Sequence, residues 1–143
     1  MLLGALPLRR HVPKLKSEGI GAVINTCQEY RGPLDDYRAA GIDELYLPTI
    51  DFTPPRLEDI QRGVEFIQRH AAAGRKVYVH CKAGRGRSAT IAMCYLISRG
   101  HTPESAQAFL SEKRPQVNRS LAKRAVVLEF ASKTTRIPTP ANP

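Results

Sequence analysis

Short β-branched apolar runs alternate along this 143-residue chain with stretches of helical period. Such runs are too brief for helices and read as buried strands. Ala22 to Thr26, Leu45 to Leu47 (stopped at Pro48) and Lys76 to His80 are of this kind, with Leu2 to Leu6 as a candidate edge strand. The intervening stretches carry helix signals. Val12 to Glu18 closes on Gly19, and Pro33 to Ala40 ends before Gly41. After a loop from Thr49 to Pro55, Leu57, Ile60, Val64 and Ile67 fall on one helical face, ended by Gly74. Ser88 to Arg99 is a further helix, stopped by Gly100, and Thr102-Pro103 opens another that runs to about Arg114. Asn118 is expected to cap a last helix carrying Leu121, Ala125 and Leu128. Strands linked through helices pair in parallel, so the pattern predicts an α/β fold with a central, mostly parallel sheet flanked by helices. Residues 1–131 form one expected domain, and the proline-bearing tail, 132–143, is expected to be disordered or extended.

Hydrophobic residues make up 42% of the chain and charged residues 24%, which excludes a disordered composition. No apolar run is long enough to cross a bilayer as a helix. The opening MLLGALPLRR has its arginines after the apolar run and no small-residue cleavage site, so it reads as a first strand and not as a signal peptide. A targeting segment upstream of it is left open. Cys27, Cys81 and Cys94 are odd in number and show no CxxC spacing, which argues against both a disulfide framework and a metal site. No metal and no cofactor is expected, and a reducing compartment is the better match. The net charge of +9 points to anionic partners, among them phosphates, nucleic acid and acidic membranes.

The segment Val79-His80-Cys81-Lys82-Ala83-Gly84-Arg85-Gly86-Arg87-Ser88 narrows that choice. A cysteine at a strand end is by itself more often a core residue than a nucleophile. Here it is followed by glycine at the third position, arginine at the sixth, serine at the seventh, and then a helix. Cleavage of a phosphate ester needs a nucleophile and a cradle for a dianion. The amides of Lys82, Ala83, Gly84, Arg85, Gly86 and Arg87 are expected to curl into a phosphate-binding nest, with Gly84 and Gly86 supplying backbone freedom. Arg87 would grip phosphoryl oxygens with its planar fork. The same positive surroundings favour the thiolate of Cys81, and Ser88 would donate to that sulfur. A Walker-type nucleotide loop is excluded, because no Gly-Lys-Ser/Thr stands at the required spacing.

His80 to Ser88 resembles the signature loop of cysteine-dependent protein tyrosine phosphatases, in the dual-specificity branch. Leu3 to Pro7, Gln28-Glu29-Tyr30, Leu47 to Asp51 and the loop's continuation into Thr90 resemble the mitochondrial phosphatidylglycerophosphate phosphatase subfamily. The likeness runs from about residue 2 to residue 130, although Arg31 stands where that subfamily usually has a glutamate. It implies a dual-specificity-phosphatase-like fold and a phosphocysteine mechanism. It also places the mobile acid loop at Asp51, which lies among Pro48, Pro54 and Pro55 and is the expected general acid. His80 is expected to position the loop without titrating. Lys82, Arg85, Arg31, Arg114 and Arg119 are candidates for a basic rim. Cys27 and Cys94 are expected to be inert, and His11, His70 and His101 to be surface or packing residues.

The expected partner is a phosphorylated lipid headgroup, phosphatidylglycerophosphate or a phosphoinositide, at an anionic membrane surface. The resemblance implies the mitochondrial inner membrane, with the cytoplasm as the alternative, and a monomer is expected. A protein phosphatase, an RNA 5′-phosphatase and an inactive phosphate-binding module remain open. Joint presence of Cys81, Arg87 and Asp51 argues against the inactive module, since binding alone needs neither thiolate nor acid. Aromatic residues are 6% with no tryptophan and are not interleaved with basic ones, so no nucleic acid is expected.

Overall fold

The structure, a computed structural model, describes residues 1–134. Four strands form one sheet: β1 (Leu2–Gly4), β2 (Ile20–Cys27), β3 (Asp43–Thr49) and β4 (Lys76–His80), in the order β1-β4-β2-β3. Every pairing is parallel, so the expected sheet is present in its strictest form. The helices are α1 (Val12–Ser17), α2 (Leu34–Ala39), α3 (Leu57–Ala72), α4 (Arg87–Ser98), α5 (Pro103–Lys113) and α6 (Ala125–Thr134).

A parallel sheet must be covered on both faces. On one face Ile24, Leu47, Val77 and Val79 pack with Ile60, Ile67 and the buried helix α4, including Ile91 and Met93. On the other, Val12, Leu15 and Tyr37 from α1 and α2 cover Ile20 and Val23. β2 is therefore buried over nearly its whole length. β2 and β4, the inner strands, end together at one rim of the sheet, where Asn25 pairs with His80. Ligands of open α/β sheets gather at this carboxyl rim.

Two expectations are corrected. β3 does not stop at Pro48 but runs through it to Thr49. Proline lacks an amide donor, but β3 is an edge strand and its register against β2 shifts between Asn25 and Cys27, so no ladder bond is demanded there. The last helix is not capped by Asn118. The Asn118 side chain instead accepts from the Ser120 amide in a turn, Leu121–Lys123 form a 3₁₀ turn, and α6 begins at Ala125. Its buried face is Val127 and Phe130, while Leu128 is half exposed. α6 carries on through residues 132–134, past the expected domain boundary; the rest of the expected tail, 135–143, lies outside the described residues.

Candidate active site

Cys81 follows β4 directly, and Arg87 is the first residue of α4. The five-residue turn between them, 82–86, is shaped from outside. The carbonyl of Lys82 accepts from the Leu6 amide (3.1 Å) and that of Arg85 from the Asn118 amide (2.8 Å). Arg114 donates to the carbonyls of Ala83 (Nη2, 2.8 Å) and Gly84 (Nε, 3.1 Å). Four successive carbonyls are thus tied to neighbours, and the amides of Gly84, Gly86 and Ser88 turn toward the sulfur. Gly84 is required by both conformation and space. Its φ is +70°, and a Cβ there would stand 2.5 Å from the Gly4 carbonyl oxygen in β1. Gly86 takes a different conformation, φ −129° and ψ −71°, outside the regions other residues favour, so its freedom is used without a left-handed turn.

Cys81 is 4% exposed. Its Sγ accepts from the Gly84 amide and from Ser88 Oγ, each at 3.1 Å. Burial alone would push the thiol up. The bonds from the Ser88 hydroxyl and from the amides of Ser88, Gly84 and Gly86 outweigh it and hold Cys81 below the ordinary thiol value. Ser88 thus sits where the sequence placed it. The other two thiols are of the opposite kind. Burial pushes both Cys27 and Cys94 up to about 12, which leaves them protonated.

The Arg87 side chain is 3% exposed, and it is met by a residue that the sequence reading did not assign to the site. Glu29 clasps it at 2.7 Å (Nη1–Oε1) and 3.2 Å (Nη2–Oε2), and the Thr49 carbonyl accepts from Nη1 at 2.9 Å. That bond to Arg87 draws the Glu29 carboxyl down to about 2. Glu29 is aimed by its neighbours. Tyr46 donates to the Gln28 carbonyl, Tyr30 donates to the Pro7 carbonyl, and the Asn25 side chain spans the turn between the Cys27 amide and the Tyr30 carbonyl. A carboxylate just past a strand buried over nearly its whole length, at the rim where Cys81 lies, was the available signal. Asp51 Oδ1 lies 3.2 Å from Arg87 Nη2, in the turn after β3.

These residues enclose a cavity of about 670 Å³. Cys81 and Arg87 lie in its floor, with Lys82, Ala83, Arg85 and Gly86 around them. Asp51 from the turn after β3 and Gln116, Asn118, Arg119 and Arg124 from the segment between α5 and α6 complete the lining. Of the expected basic rim, Lys82, Arg85 and Arg119 are present. Arg31 is elsewhere, paired with Glu44 at 3.1 Å and stacked on Tyr46. Arg114 is a strut of the loop and not part of the lining. Arg124 was missed. It donates to Thr90 Oγ1 (2.7 Å), whose own hydroxyl donates to the Gly86 carbonyl. Its place depends on the break before α6, which no local pattern announced.

His80 is wholly buried, with its Nδ1–H directed at the Cys81 carbonyl (3.1 Å). Burial lowers it to about 4, so it remains neutral near neutral pH, as expected. His70 is buried against Phe66, while His11 and His101 make local bonds to Leu8 and Ser105.

A low-pKa thiol and an arginine at the start of the next helix, set in a ring of amides at the rim of a parallel sheet, define the architecture of cysteine-dependent phosphatases. The chain belongs to the dual specificity phosphatase catalytic-domain family, which it matches over residues 3–133. It is 42% identical over 134 residues to the Arabidopsis thaliana protein named phosphatidylglycerophosphate phosphatase PTPMT1, covering 91% of this chain but only 40% of that relative's length. It is 36% identical over 143 residues to the human phosphatidylglycerophosphatase and protein-tyrosine phosphatase 1, covering 94% of this chain and 71% of the relative. The crystal structure of PTPMT1 in complex with PI(5)P superposes with a TM-score of 0.85 at 35% identity, over 94% of this chain and 91% of that one.

Proposed function

We propose that this domain hydrolyses the phosphate monoester of a phosphorylated lipid headgroup, phosphatidylglycerophosphate first among them, through a phosphocysteine at Cys81. The observation that carries the reading is the Cys81 sulfur, held by Gly84 N and Ser88 Oγ in the floor of a basic cavity. The thiolate attacks phosphorus, so an S–P bond forms while the ester P–O bond breaks. Asp51 delivers its proton to the departing glycerol oxygen. Water then attacks phosphorus, the S–P bond breaks, and Asp51 takes a proton from that water. Ser88 Oγ–H stabilises the thiolate as it leaves, while the loop amides and Arg87 hold the equatorial oxygens.

Two further points support a lipid headgroup. Relatives carry that activity in their names, and a related structure holds a phosphoinositide. Arg119 and Arg124 stand on the wall beyond the loop, where a headgroup that carries a diester phosphate besides its monoester would find a second cation. The mitochondrial inner membrane is the compartment this reading carries, with the monomer as the working state. A protein-tyrosine phosphatase is the second reading, favoured by the name of the human relative. The deciding experiment is a phosphate-release panel of phosphatidylglycerophosphate and phosphoinositides in vesicles, phosphopeptides and triphosphate-ended RNA. Fastest turnover of a lipid, with a phosphorylated Cys81 peptide trapped by acid quench, is the expected result. Faster turnover of phosphopeptides than of every lipid would transfer the assignment to the second reading.

A further inference from the structure

The turn that carries Asp51 ends in an uncovered aromatic. Phe52 is 94% exposed and Ile50 64%, the two most exposed of the large apolar side chains among the described residues. Isolated exposed apolar residues are common, but these two flank one functional aspartate. The backbone conformation adds to the anomaly. Phe52 has φ +64°, the only positive value outside glycine among the described residues. A bulky side chain is disfavoured there, and glycine or asparagine is the ordinary choice. The turn is nonetheless closed firmly, with the Thr53 amide (3.2 Å) and hydroxyl (2.6 Å) both donating to the Ile50 carbonyl. The Phe52 amide donates to Asp51 Oδ1 at 2.9 Å, so whatever seats Phe52 also holds Asp51.

The charges around the tip name its partner. Phe52 stands at the lip of the same cavity as Lys82, Arg85, Arg119 and Arg124. None of these four has an acidic partner within 4.0 Å among the described residues. An exposed apolar side chain that shares one open cavity with four unneutralised cations matches the layered chemistry of an anionic bilayer, whose phosphates lie over its acyl chains.

We infer that Phe52 and Ile50 form a membrane-seating tip, inserting into an anionic phospholipid surface while the four cations meet its phosphates, and that this seat holds Asp51 over the cavity mouth. The inference rests on the reading of the cavity as a phosphomonoesterase site. It goes beyond that reading in making the acid loop itself the membrane contact.

The chain has no tryptophan, so Phe52→Trp places a single tryptophan reporter at the tip, excited apart from the five tyrosines. The probe is a vesicle of phosphatidylglycerol and phosphatidylcholine, which contains no phosphate monoester. Tryptophan emission from this variant should shift to the blue on vesicle addition, be quenched by lipids brominated along their acyl chains, and return as salt is raised. Separately, Phe52→Asn and Ile50→Thr should each lower turnover of a vesicle-borne phosphomonoester by roughly 5- to 10-fold, on the scale of one lost interfacial anchor. Turnover of a small soluble aryl phosphate should stay within about twofold in Ile50→Thr, which lies outside the cavity lining, and should fall less than lipid turnover in Phe52→Asn. Emission unmoved by vesicles, or moved only by phosphopeptides, would overturn the tip. So would an equal fall on aryl phosphate and lipid in either of the other two variants. Burial of the reporter in these vesicles without any turnover of phosphatidylglycerophosphate would uphold the tip while removing the substrate assigned above.

Discussion

Glu29 and Arg87, 58 residues apart, form a two-pronged ion pair at 2.7 and 3.2 Å that orients the buried guanidinium toward the cavity. The Glu29 side chain is 44% exposed, so its part lies in orientation more than in stability. Glu29→Ala should lower kcat on the order of 10- to 100-fold by releasing Arg87 from its productive pose. Glu29→Gln, which keeps one acceptor, should lie between the alanine variant and the parent. The urea midpoint should move little in either. Unchanged kcat in Glu29→Ala would show that the Thr49 carbonyl and Asp51 suffice to orient Arg87.

Cys81 owes its lowered pKa first to the Ser88 hydroxyl, against the opposing push of burial. Ser88→Ala should therefore move the alkylation profile of Cys81 to higher pH. The check is the rate of iodoacetamide labelling against pH, read by mass spectrometry of the Cys81 peptide. Cys27 and Cys94, at about 12, should stay unlabelled in the folded protein throughout. An unmoved profile would assign the effect to the amides alone.

Asp51→Asn should slow hydrolysis of an alkyl phosphate by roughly 10²–10⁴, the usual worth of a positioned acid. An activated aryl phosphate, whose oxygen leaves without a proton, should lose far less. Equal losses on the two substrates in the rate of phosphocysteine formation, read by acid quench in a single turnover so that the shared hydrolysis step does not enter, would remove Asp51 from the acid role.

Arg114 ties the Ala83 and Gly84 carbonyls outward, so Arg114→Met should loosen the amide ring without touching the thiol. The expected result is weaker binding of inorganic phosphate or vanadate, on the order of tenfold for the loss of hydrogen bonds made by a charged group. Gly84→Ala should be more severe, since its Cβ meets the backbone of β1 and its φ is left-handed. Normal vanadate affinity in Arg114→Met would show that the ring keeps its shape unaided.

His80 contributes an acid-sensitive increment of stability. Its folded pKa is depressed to about 4 from 6.5, so below 6.5 the unfolded chain takes up a proton that the folded chain refuses. The increment is complete above pH 6.5 and is lost progressively as pH falls toward 4, amounting to roughly 3 kcal/mol. Burial lowers His70 too, which adds in the same direction. Urea midpoints measured between pH 7 and 4 should fall, and His80→Asn should flatten that slope. An identical slope in the variant would assign the acid limb to other groups.

The strand, nucleophile, glycine, arginine and serine of the signature loop are contiguous, and the strand-helix alternation around them is a local pattern. Both were therefore legible in the order of residues, as were the parallel sheet and the positions of Cys81, Arg87, Ser88 and Asp51. Local preference was silent wherever an interaction crosses the sheet. The clasp of Glu29 on Arg87 depends on β2 and β4 ending at one rim, which register decides. The exchange of Arg114 for Arg124 in the lining turns on how the chain folds back after α5 and breaks before α6. β3 could pass through Pro48 only because it is an edge strand with a shifted register, a property of the assembled sheet. Sequence by itself determined which groups lie within a few bonds of the thiol, because chain connectivity fixes short distances. Tertiary structure alone decided which distant carboxylate and cations complete the cavity, because those distances are set by strand order, register and the packing of α4, α5 and α6.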